Sequence, residues 1–195
     1  GKRIAGALRG KGPGYFNDAG AWRDMGVGSL EEAIKPIAGN AAELAKVERL
    51  LVAQHNEAML AAGRETGISP ADAAEIVNTA SPRTQMVATK IRAWLNATGE
   101  AAVESGALSR TLWEHLREKY PWYVPAERAF EGEGAVIGGR RRSRGGVRGP
   151  LRRPRKGGKQ PYVSPYETIP DYGARMIRYT DLHRAVRSML DLVDN

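Results

Sequence analysis

No cysteine occurs among the 195 residues, which excludes disulfides, thiolate nucleophiles and thiolate metal sites. No apolar run approaches the roughly 18 residues of a membrane span. No signal peptide is read in the first residues: Lys2 and Arg3 lead into an apolar stretch, but Arg9 and Lys11 interrupt it too soon for an h-region. Histidine is scarce. His55, His115 and His183 each fall on a different predicted helix, and none has H-E-x-x-H or another ligand spacing. There is no G-x-S-x-G elbow, and Gly10-Lys11-Gly12-Pro13 lacks both the hydroxyl and the helix start of a phosphate loop. The pairs Glu31/Glu32 and Glu131/Glu133 are accounted for by a first helical turn and a solvated loop rather than by acid–base work. With no convergent set of reactive groups, no catalytic residue, cofactor or metal is assigned, and the chain reads as a non-enzyme.

What is present is a series of helix starts. Ser29 with Glu32 has the spacing of a capping box, opening a short helix that Pro36 interrupts. Asn40 caps the next, whose apolar positions Leu44, Val47, Leu51, Ala58 and Ala62 run to Gly63. Ser69-Pro70 and Ser81-Pro82 each place proline in the first helical position, where its missing N–H costs nothing. The second of these helices carries Val87, Ile91, Trp94, Leu95 and Val103 to a stop at Gly106. With 42% hydrophobic residues and this length, one domain can bury roughly 70% of its unfolded surface. The predicted fold is all-α. An antiparallel helical array is interrupted by a long Gly/Arg-rich irregular insertion, for which a short β-hairpin is one available form, and is closed by a carboxy-terminal helix. The organisation reads as an irregular segment (1–28), the array (29–125), the insertion (126–163) and the terminal helix (164–195). Ser164-Pro165-Tyr166-Glu167 opens that last helix, with Pro170 delaying regular structure to about Asp171. Its apolar positions are Tyr172, Met176, Tyr179, Leu182, Val186, Met189, Leu190 and Val193. Gly1 is not an initiator and Asn195 ends a segment that still reads as helix, so the chain is expected to be part of a longer polypeptide.

The array ends in an aromatic segment. Ser109 caps a helix from Arg110 to Lys119, with Leu112, Trp113 and Leu116 on its apolar side, and Pro121 forces Tyr120 out of helical geometry. Trp113, Tyr120, Trp122 and Tyr123 are read as a structural clamp onto the array, with Trp122→Ala expected to cost roughly 3 kcal/mol.

Charge is the most uneven property. The formal net charge is +8, yet ten Lys or Arg and no acid lie between Arg140 and Lys159, which leaves 20 basic against 22 acidic residues elsewhere. The ten are Arg140, Arg141, Arg142, Arg144, Arg148, Arg152, Arg153, Arg155, Lys156 and Lys159. Such an RGG-like run suits sequence-independent contact with nucleic-acid phosphates, each neutralised phosphate releasing counterion. The same composition fits a solvated loop, an arm on an acidic protein, or a segment meeting a membrane surface.

The order of several features resembles a region of the large polyvalent proteins of tailed phages and related mobile elements, which include internal or ejected virion proteins. The residues concerned are Gly63-Arg64-Glu65-Thr66-Gly67-Ile68-Ser69-Pro70-Ala71-Asp72-Ala73, then Glu104-Ser105-Gly106-Ala107-Leu108-Ser109, then Tyr120-Pro121-Trp122-Tyr123-Val124-Pro125 with Arg128, a basic Gly-rich stretch, and Ser164-Pro165-Tyr166-Glu167. Most of residues 20–195 is covered. The resemblance implies a helical connecting or scaffold module in a phage virion or host cytoplasm. Its partners would be the rest of a longer polypeptide or virion proteins, with DNA touched through the insertion and any enzymatic domains encoded elsewhere. The arginine density at 140–156 exceeds what the resemblance accounts for.

Overall fold

A computed structural model describes residues 2–17, 19–61, 63, 66–125 and 163–193. It is mostly α, with seven α-helices and one two-stranded hairpin among the described residues. In chain order these are α1 (Lys2–Arg9), β1 (Gly14–Phe16), β2 (Trp22–Asp24), α2 (Leu30–Ile34) with a 3-10 turn (Lys35–Ile37), α3 (Ala41–Ala61), α4 (Pro70–Thr79), α5 (Pro82–Glu104), α6 (Arg110–Lys119) and α7 (Pro165–Val193).

The caps act as their spacing requires. Ser29 Oγ accepts from Glu32 N while Ser29 N donates to Glu32 Oε2 at 2.8 Å, a complete capping box. Asn40 Oδ1, Ser69 Oγ and Ser81 Oγ accept from the amides of Glu43, Asp72 and Thr84. Gly63 and Gly106 take the positive φ expected past a helix end.

α5 is the axis of the molecule. It packs against α2, α3, α6, α7 and the first strand, and its Val87, Ala88, Ile91, Trp94, Leu95 and Ala102 join one core with Val47, Leu50 and Leu51 of α3 and Ile169, Tyr172, Met176 and Ile177 of α7. α4 lies along α3, and α7 closes the body by crossing α5, α3 and α1.

Two expectations are corrected. Residues 1–28 were expected to be irregular, but α1 and the hairpin are ordered parts of the fold. Ile4, Ala7 and Leu8, at i, i+3 and i+4, make α1 one-sided; Ala7 is buried, and its carbonyl accepts the Trp94 Nε1–H at 2.9 Å. In the hairpin Phe16 is opposite Trp22, ring centroids 5.2 Å apart and edge to face. Pro170, expected to delay the last helix, lies inside it. The missing N–H and the crowded preceding carbonyl cost about 3 kcal/mol in a helix interior. Burial of Pro165, Ile169, Tyr172 and Gly173 on both sides of Pro170 offsets that penalty.

Candidate nucleic-acid interface

All ten cations assigned to the arm, Arg140, Arg141, Arg142, Arg144, Arg148, Arg152, Arg153, Arg155, Lys156 and Lys159, lie outside the described residues, as does the hairpin envisaged for the insertion. The described residues do contain the two stems that hold it.

The first stem follows α6. Tyr120 leaves helical geometry at φ −134°, as Pro121 demands, and its N–H still donates to Leu116 O. A turn closes with Tyr123 N donating to Tyr120 O at 3.0 Å. Trp113, Tyr120 and Val124 are buried, whereas Trp122 and Tyr123 are each 40% exposed. The clamp is therefore divided: two aromatic residues enter the body and two lie on its surface. Trp122 lies under the Arg92 guanidinium, 4.3 Å from carbon to ring centroid. Arg92 also donates to Gln54 Oε1 and Thr89 Oγ1, and burial lowers its pKa. The Tyr123 ring meets His55 of α3 and Tyr172 of α7 edge to face, at 6.2 and 6.1 Å.

The second stem enters α7. Pro165 is buried, and the Tyr166 hydroxyl donates to Leu44 O of α3 at 2.9 Å. Burial pushes the Tyr166 hydroxyl above its ordinary range, with the Glu48 carboxylate adding to the effect. Both stems are thus fastened to α3, at His55 and at Leu44. Eleven residues of helix separate these by about 16 Å, a gap that about five extended residues would span. The 37 residues from 126 to 162 are far more than a bridge needs.

No family model, curated protein or solved structure matches the chain.

A second cation–aromatic cluster, which the sequence reading missed, joins α1, the hairpin and α7. The Arg3 guanidinium lies 5.4 Å from the Phe16 ring centroid and 5.1 Å from that of Trp22, donates to Gly14 O, and pairs with Asp181. Arg184 stacks on Phe16 at 4.4 Å. Burial, and secondarily Arg184, lower the Arg3 pKa. The readable signal was two aromatic residues either side of a turn-forming Asn17-Ala21 segment; Asn17 Oδ1 accepts the Ala21 amide at 2.9 Å. Near the end of α5, Arg110 forks between Glu100 and Glu104, while Glu100 also accepts the Trp113 Nε1–H at 2.6 Å. The hydrogen bond that Arg110 donates to Glu100 raises the Arg110 pKa.

His55, His115 and His183 sit on α3, α6 and α7. Among the described residues no three His, Asp or Glu side chains are grouped to hold a metal ion, and no helix is long and apolar enough to cross a membrane.

Proposed function

We propose that this chain is a non-catalytic helical module that mounts a basic arm for sequence-independent contact with nucleic-acid phosphates. The observation that carries the reading is the segregation of charge. Ten cations without an acid occupy the insertion, the rest of the chain is at −2, and both stems of the insertion are packed on the same helical body. A near-neutral body offers phosphates little attraction of its own, so affinity resides in the arm. The residue order resembling large polyvalent phage proteins supplies the setting: a scaffold segment of a longer chain, acting beside packaged or delivered DNA.

Binding through phosphates makes affinity indifferent to sequence and steep in salt. About five simultaneous contacts on duplex DNA give a log–log salt slope near −4.5, and converting half the arginines to Gln halves it. Fluorescence anisotropy with labelled duplex across a salt series tests this on the full chain and on a chain lacking residues 140–159. The deletion is expected to abolish binding. Undiminished binding by the deletion, or no binding by the parent at low salt, makes the arm a protein-contacting or solvated loop instead.

A further inference from the structure

Past Thr180 α7 runs beyond the body, and from Arg184 to Val193 every residue is exposed. Thr180 is buried, Arg184 stacks on Phe16, and His183 and Arg187 lie against Gly106, which ties the start of this stretch to the body. On an ideal helix Leu182, Val186, Met189 and Val193 fall within about 60° of one another and form one stripe. Leu190 and Leu192 flank them. The six are exposed from 47% at Leu182 and Val186 to 82% at Val193.

We infer that this face is the contact between two copies of the chain, α7 against α7. Three observations select a second copy as the occupant. The spacing from Leu182 through Val186 and Met189 to Val193 alternates four and three residues, the seam of paired helices. The positions bordering the seam are His183, Ala185, Leu190 and Leu192. None carries a Lys, Arg, Asp or Glu, so identical helices meet without like-charge repulsion, and the charges by which helices choose a different partner are absent. The exposed surface of the six residues is about 700 Å² per copy, beyond the patch an ordinary monomer leaves open. Two copies can bury at most about 1,400 Å², an upper bound within the range of a stable specific interface.

The inference does not depend on the arm. Sedimentation equilibrium of the full chain over about 1–100 μM should show the mass rising from 21.2 kDa toward twice that value. Val186→Asp and Met189→Glu should each stay monomeric throughout, with circular dichroism unchanged. Because the chain has no cysteine, a single Met189→Cys gives an independent measurement that needs no disruptive charge. A short bismaleimide should cross-link it to a dimer, while Leu112→Cys, also exposed but on α6, should not cross-link. A parent that is monomeric at 100 μM, dimers that survive both charged variants in folded form, or equal cross-linking from Leu112→Cys would each overturn the inference. Loss of association in the arm deletion would do the same, by moving the contact to residues 140–159.

Discussion

Gly173 faces the ring of Trp94 across the α5–α7 contact, and a β-carbon there would overlap the ring atoms. Trp94 is fully buried and tied by its indole N–H to Ala7 O, so the ring has nowhere to move. Gly173→Ala should therefore destabilise by about 1–2 kcal/mol, an overpacking cost that outweighs the roughly 1 kcal/mol helix-propensity gain. A lower urea midpoint at unchanged slope is the check. Tyr172, one residue earlier, is also buried, which raises its hydroxyl pKa, with Tyr123 adding to the shift. The folded state thus holds this proton more tightly than the unfolded chain. The contribution is full below the unfolded pKa of about 10 and is lost as pH rises above it. Melting temperatures should fall as pH rises above about 10, and fall less in Tyr172→Phe; identical profiles would assign the alkaline loss to other groups.

Within the aromatic segment after α6 the four residues have unequal standing. Trp113 packs on Gly99 and donates to Glu100 from a buried position, so Trp113→Ala should cost about 3–5 kcal/mol. Trp122 was expected to cost roughly 3 kcal/mol on the assumption of burial. At 40% exposed, with one face covered by Arg92, its removal should cost about 1 kcal/mol. Thermal melts of the two variants separate these outcomes. Sequence spacing placed both residues near the array, but proline on either side of Trp122 and Tyr123 determines only where the backbone goes, not which rings turn inward. The same limit applies to α6, where Trp113 is buried and Leu112, its neighbour on the predicted apolar side, is 44% exposed. α7 shows the opposite case. Proline chemistry argued for a late start, and contacts from the core carried the helix through Pro170.

For the whole molecule, the two stems predict that the insertion and the fold are separable. Excising residues 140–159 removes no described residue and leaves Tyr123, Val124, Pro165 and Tyr166 in their contacts. The helical circular dichroism and cooperative melt should persist, with a change below about 1 kcal/mol, since shortening a loop alters closure entropy only logarithmically. Collapse of the melt would mean that residues 140–159 pack on the body.

Taken alone, the sequence determined the caps and stops of α2 to α6, the mostly-α class and the placement of charge. Each of these depends on residues within a turn of one another, or on simple counting. Ser29 with Glu32, Ser81 before Pro82 and Gly106 act over three or four residues, so their meaning survives without neighbours. The tertiary structure alone decided the order of residues 2–24, the unbroken course of α7 past Pro170, and the outward turn of Trp122. Each depends on contacts between residues far apart in the chain, such as Ala7 with Trp94 or Arg3 with Asp181. A short helix and a hairpin of two three-residue strands have too little internal stability to announce themselves; they exist because a distant core receives their apolar sides.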